Sequence, residues 1–226
     1  MEPDEKLLMD VKGFLDTREG SSLYKFALKA SRLGPCLEIG SYCGKSTVCL
    51  GTACRENNST LFSIDHHRGS EEQQPGEEYF DPELFDPQIG RVDTFKEFRK
   101  NLEISGLEDT VVPIVCKSAV AARLWATQLS LVFIDGGNTF EAAFTDYKAW
   151  SGHIIHHGYL LIHDIFKDPA KGGQAPCQVY QLAIDSGLFH ELPMIETLGV
   201  LQRRQYQRTP ENRPPKYIST LGSSPD

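Results

Sequence analysis

Apolar runs and helically spaced apolar positions alternate along the whole length of this chain. Pro35 to Ile39, Thr60 to Ile64, Val111 to Val115, Leu131 to Ile134 and Tyr159 to Ile162 are short, nearly continuous apolar runs, the pattern of strands covered on both faces of a parallel sheet. Between them, Lys45 to Cys54, Val92 to Leu107 and Phe140 to Trp150 carry apolar residues at one-turn spacing and predict helices. In the second of these, Phe95, Phe98, Leu102 and Leu107 would face the sheet, with Gly106 near the end. Shorter helices are expected from Ala119 to Ala126 and through Val179 to Ile184, the latter ending by Gly187. At the front, residues 4 to 17 place Leu7, Leu8, Val11, Phe14 and Leu15 on one helical face, and a second helix follows from about Ser21 to Leu33. Phe189 to Ile195 and Thr197 to Leu201 supply two further strands. Strand and helix in alternation predict an α/β fold.

The first strand runs straight into a glycine-bracketed turn, LEIGSYCGKST, from Leu37 to Thr47. Strand, tight turn and helix in that order place the turn at the carboxyl end of a strand, where Gly40 and Gly44 let backbone approach a ligand closely. A phosphate-cradling P-loop would need its first glycine at Ile39, inside the strand. A dinucleotide fingerprint would need glycines where Tyr42 and Lys45 stand, and Tyr42 would block approach to a pyrophosphate. What remains is a turn that passes a ligand without a pyrophosphate, with Glu38 accepting hydrogen bonds from neutral or cationic donors.

This stretch resembles motif I of class I S-adenosylmethionine-dependent methyltransferases, most of all the catechol/macrocin O-methyltransferase-like group. The resemblance continues in order and spacing through Ser63-Ile64-Asp65, Cys116-Lys117-Ser118, LVFIDGG, GYLLIHDIF and TLGVLQRR, and so covers residues 35–203. It implies a Rossmann-like three-layer sandwich with a seven-stranded, mostly parallel sheet whose last strand is antiparallel. It implies cofactor contacts by Glu38, Gly40, Ser41, Tyr42, Gly44, Ser46, Asp65, His66, Ser118 and Asp135. Asp65 would take the two ribose hydroxyls, because one carboxylate accepts two hydrogen bonds in fork geometry. Ser118 would approach the adenine. Asp135 and Asp164, each ending an apolar strand, would coordinate a divalent cation, and two carboxylates plus waters suit Mg2+. The asparagine ligand that follows the second aspartate in catechol-type enzymes is Ile165 here. Asn138 or His163 must then supply a third protein ligand, or no metal is held. Asn138 also stands where those enzymes carry a lysine base, and an amide takes no proton at neutral pH. The catalytic residues expected are therefore Asp135, Asn138 and His163. His163 is the first choice as general base, ahead of His66 and His67, unless the metal alone activates the acceptor.

Composition narrows the partners. A formal net charge of -8 disfavours a phosphate backbone, so nucleic acid is not expected. Nor is a membrane, since no apolar run reaches spanning length and the acidic start is unlike a signal peptide; a cytoplasmic protein is expected. Six cysteines without a Cys-x-x-Cys pair read as reduced thiols, and the paired His156 and His157 read as a surface turn rather than a metal cluster. Residues 69–90 form an acidic insertion long enough for a lid or binding loop, in which Tyr79, Phe80 and Phe85 would line a pocket for a cationic aromatic molecule, lie in a solvated loop or meet a second subunit.

The expected organisation is an N-terminal helical segment over the site (1–34), a methyltransferase domain (35–203) and a mobile polar tail (204–226). The expected function is methyl transfer from S-adenosylmethionine to a small-molecule hydroxyl, leaving S-adenosylhomocysteine. A homodimer is compatible with this. The alternatives are a protein that binds the cofactor with a decayed active site, and a nucleotide enzyme with a degenerate P-loop.

Overall fold

The computed structural model of the chain describes residues 3–205. Its centre is a seven-stranded sheet of β1 (Cys36–Ile39), β2 (Leu61–Asp65), β3 (Val111–Val115), β4 (Leu129–Ile134), β5 (Ile154–Ile162), β6 (Phe189–Glu191) and β7 (Gly199–Arg203). The spatial order is β3-β2-β1-β4-β5-β7-β6. The pairs among the first five strands are all parallel, whereas β7 runs antiparallel to both β5 and β6. This is the expected fold class.

Among the described residues, seven α-helices accompany the sheet: α1 (Glu5–Asp10), α2 (Thr17–Ala30), α3 (Lys45–Glu56), α4 (Phe95–Ser105), α5 (Ser118–Ala121), α6 (Phe140–Trp150) and α7 (Ala175–Asp185). Strand alternation divides the core in two. Cys36, Leu131, Phe133 and Leu161 face α2, α3 and α4, while Leu37, Ile39, Val132, Ile134, Leu160 and Ile162 face α6 and α7. Trp125 packs edge-on against Phe62 and Trp150, a core position. No helix of the described residues is long and apolar enough to cross a membrane.

Three local expectations change. The single helix over residues 4 to 17 is broken: α1 stops at Asp10, Gly13 adopts φ 153°, and Asp16 with Glu19 forms a capping box that starts α2. Phe14, expected on the apolar face, is consequently 61% exposed. His156 and His157 lie within β5 rather than in a turn, at a point where the pairing register with β4 shifts and His157 adopts φ 65°. The acidic insertion has local structure of its own, with single-turn helices at Glu71–Gln73 and Pro82–Leu84 and a short hairpin pairing Phe85–Asp86 with Arg91–Val92. Leu84 and Val92 bury with Cys43 in a small satellite core. Most of the expected polar tail lies outside the described residues.

Candidate functional site

β1 and β4 are neighbours although far apart in sequence, so their carboxyl ends open a crevice where the chain changes direction across the sheet. The turn after β1 forms one wall. Gly40 adopts φ 86°, and a Cβ there would lie 2.0 Å from the Asp135 carbonyl oxygen, so glycine is required on both counts. Gly44 at φ 96° then starts α3. Asp65, ending β2, holds the turn: Oδ2 accepts from the Ser41 and Tyr42 N–H groups at 2.9 and 2.8 Å, and Oδ1 from the His67 N–H at 2.7 Å. The Ser41 hydroxyl is buried beside the crevice with no hydrogen-bond partner among the described residues. A buried polar atom without a partner is costly, and a ligand is one way to satisfy it.

Glu38 does not reach the crevice. It is fully buried behind the turn, accepting from the Ser46, Thr47 and Ser63 hydroxyls at 2.5, 2.6 and 2.8 Å. Burial raises its pKa to about 7 against the lowering effect of those hydroxyls. Glu38, an expected cofactor contact, is thus not among the residues that line the cavity, and it ties the start of α3 to the sheet. Gly44 likewise shapes the turn without lining the cavity.

The cavity has a volume of about 980 Å³, in the range of small-molecule sites. Gly40, Ser41, Tyr42, Ser46, Asp65, His66, Ser118, Asp135, Asn138, His163 and Asp164 all line it, which brings together most of the residues singled out from sequence. Ser118 donates its hydroxyl to Asp146, whose pKa burial raises to about 6 despite that bond. His67 is instead buried against Phe95 and Phe98 with Nδ1 2.8 Å from the Thr94 hydroxyl. It is therefore not available as a base. The insertion closes one side: Tyr79 reaches the cavity, whereas Phe80 and Phe85 pack on each other. Asn138 donates to Glu72 of the insertion at 3.2 Å.

The floor is acidic. His163 is 7% exposed, and its Nδ1 lies 3.0 Å from Asp135 Oδ1 and 3.5 Å from Asp164 Oδ1. Its Nε2 lies 3.0 Å from Glu19 Oε2, reaching in from α2. Glu19 also accepts from the Thr197 N–H and hydroxyl, both at 2.8 Å. Burial pushes His163 down, but Asp135 and Glu19 outweigh it and raise its pKa to about 11. With carboxylates on both ring nitrogens, the imidazole has no free lone pair for an acceptor's proton. The base expected at His163 thus has carboxylate partners at both nitrogens. Burial and the nearby Asp135 raise the pKa of Asp164, with His163 opposing them. Ile165 turns away and is 3% exposed in the core. One donor atom from each of Asp135, His163 and Asp164 lies within 4.8 Å of the other two, so the set suits a divalent cation.

Residues 37–165 match the family described as a methyltransferase domain. The chain belongs to this methyltransferase-domain family. Known structures of similar fold include the O-methyltransferase TomG from Streptomyces achromogenes in complex with S-adenosylmethionine, at 12% identity and TM-score 0.61, covering 91% of this chain and 92% of that one. An O-methyltransferase from Bacillus cereus in complex with S-adenosylhomocysteine is 12% identical, TM-score 0.61, with 90% and 92% covered. The O-methyltransferase NovP is 14% identical, TM-score 0.64, with 83% and 80% covered. At these identities the likeness is one of fold.

In this methyltransferase-domain protein the family match begins at Leu37, yet Lys12, Gly13, Phe14 and Leu15 also line the cavity. Lys12 forms ion pairs with Asp81 and Glu83 of the insertion at 2.5 and 2.6 Å, and Phe14 meets Tyr79 edge-on at 5.1 Å. Sequence reasoning missed Glu19 and Asp146. Glu19 carried the signal of a capping box three residues after Asp16, which explains its place on α2 but not its second partner.

Proposed function

We propose that this methyltransferase-domain protein moves a methyl group from S-adenosylmethionine to a hydroxyl oxygen of a small-molecule acceptor. The observation that carries the reading is the placing of the glycine turn and the Asp135–Asp164 centre on one cavity, since methyl transfer needs a donor sulfonium and an acceptor oxygen held in line. In this reading Asp65 takes the ribose hydroxyls beside Gly40 and Tyr42, the orphaned Ser41 hydroxyl gains a partner, and Ser118 with Asp146 borders the adenine. Residues 1–34 act as a cover contributed to the 35–203 domain, with Lys12 and Phe14 clasping the 69–90 insertion.

Asp135 and Asp164 would hold a divalent cation, whose Lewis acidity would lower the pKa of an acceptor hydroxyl. Asn138 stays a positioning amide on Glu72, and His163 lies beside both aspartates with Nδ1 3.0 and 3.5 Å from their oxygens. One observation favours a second reading, a cofactor-binding protein that transfers nothing: both ring nitrogens of His163, the first choice as base, face carboxylates, and the position of the lysine base in catechol-type enzymes holds the amide of Asn138.

The test is calorimetric titration with S-adenosylhomocysteine on wild type and Asp65→Ala, followed by S-adenosylmethionine turnover on hydroxyl, thiol and amine panels. Micromolar binding lost in the variant, with turnover on hydroxyls, supports the proposal. Binding without turnover on any panel favours the second reading, and no binding by wild type sinks both.

A further inference from the structure

Resting on that reading of the cavity, we propose that His163 is the third protein ligand of the cation site, presented through Nδ1 and oriented by Glu19. This nitrogen turns the site toward first-row transition ions such as manganese(II) or cobalt(II) and away from magnesium. The position after Asp164, Ile165, is a buried hydrocarbon and offers no donor. The position before it does. Strand alternation puts His163 on the same face as Leu161 at the end of β5, and Asp164 adopts φ 60°, turning its carboxylate back toward the same point.

The distances fit a shared ion. Nδ1 lies 3.0 and 3.5 Å from the two aspartate oxygens. Neighbouring ligands about 2.1 Å from a common ion are separated by about 3.0 Å in octahedral and about 3.4 Å in tetrahedral geometry. The far side of the ring settles which nitrogen is offered. Glu19 accepts from the Thr197 N–H and hydroxyl and from the Asp16 N–H at 3.3 Å, bonds that fix its carboxyl group against the ring. A carboxylate can only accept, so Nε2 keeps its proton toward Glu19, and a cation held by Asp135 and Asp164 would take the place of the proton that Nδ1 otherwise directs at them, releasing it to solvent. A carboxylate behind a ligating histidine fixes the tautomer and raises the ligand's basicity. One nitrogen with two carboxylate oxygens favours transition ions, whereas magnesium prefers oxygen throughout.

The test uses the full-length chain stripped with a chelator. Manganese(II), cobalt(II) and magnesium are titrated by calorimetry, and the electron spin echo of bound manganese is examined for nitrogen modulation. Manganese and cobalt are expected to bind at least about tenfold tighter than magnesium, with nitrogen modulation present. Glu19→Gln keeps a capping-box side chain but can turn its amide N–H toward Nε2, which would move the ring proton to Nδ1. It should weaken manganese binding by about 10–100-fold while leaving S-adenosylhomocysteine affinity in chelator unchanged. His163→Asn should abolish the nitrogen modulation.

Equal affinity for magnesium and manganese, an echo without nitrogen modulation, or no metal binding by a chain that still binds S-adenosylhomocysteine overturns the proposal. In the last case His163 is a buried cation bridging Asp135 and Glu19. Glu19→Gln binding manganese like wild type removes Glu19 from the inference. Because S-adenosylhomocysteine is measured in chelator, a failed metal site is told apart from a failed cofactor site.

Discussion

Gly40→Ala tests the architecture of the site most directly. The new methyl carbon would lie 2.0 Å from the Asp135 carbonyl oxygen and 2.9 Å from Gly136 Cα, both backbone atoms that no rotamer change can clear. An ordinary carbon–oxygen contact is about 3.3 Å, so the ends of β1 and β4 would have to separate by about 1.3 Å. The backbone angle adds about 1–2 kcal/mol for a non-glycine residue at positive φ, and overpacking of this kind costs about 1–3 kcal/mol. The expected loss of stability is therefore about 2–5 kcal/mol. Gly90→Ala is the control, because Gly90 has φ 65° with nothing within 4 Å of where its methyl would sit, and so carries the backbone cost alone. Urea unfolding reads the stability, and calorimetry with S-adenosylhomocysteine reads the site. Affinity should fall on the order of 10–100-fold, since the turn N–H groups and Asp65 move with the strand end. If Gly40→Ala unfolds like Gly90→Ala and binds S-adenosylhomocysteine like wild type, the close approach of β1 and β4 does not build the site.

Three further outcomes are expected. Asp65→Asn loses charge-assisted bonds to three backbone N–H groups, each worth about 1.5–3 kcal/mol, and should bind S-adenosylhomocysteine at least about tenfold more weakly by calorimetry; unchanged affinity would contradict the assignment. Glu38 is held near pKa 7 by burial against an ordinary value of 4.5, so the folded state binds the extra proton between those values. The stability this confers is present at low pH and is lost as pH rises through 7, by about 3 kcal/mol. Urea unfolding at pH 5 and pH 8 should show that loss in wild type and not in Glu38→Gln, and parallel slopes would refute it. Lys12→Met removes partly exposed ion pairs worth about 0–1 kcal/mol, so global unfolding should hardly change. Limited proteolysis should nonetheless cut the insertion several-fold faster, and an unchanged cleavage rate would mean that Lys12 does not fasten it.

The sheet was legible because its strands are buried on both faces and its chemistry is local. Val132 and Ile134 alternate with Leu131 and Phe133 between two cores, so the run must be apolar throughout, and the acid that ends it stands out. Gly40, Gly44 and Asp65 could be read in the same way, from backbone needs within one β-α-β unit. The break between α1 and α2 was harder. Apolar spacing runs across Gly13, and only the competition of a capping box at Asp16 with a glycine outside helical φ stops the first helix.

What the sequence determined by itself is the α/β order, the strand-end acids and the turn, because each depends on neighbours a few residues away. The tertiary structure decided the partners. Glu38 looked like a ligand contact until the Ser46, Thr47 and Ser63 hydroxyls consumed it, and His163 looked like a free base until Asp135 and Glu19 took its two nitrogens. Glu19 and His163 are far apart along the chain, and no periodicity links a capping residue on α2 to the end of β5. Their meeting depends on how the N-terminal helix packs across the sheet, and it is long-range packing that gives a side chain its hydrogen-bond partners and so its protonation and its role.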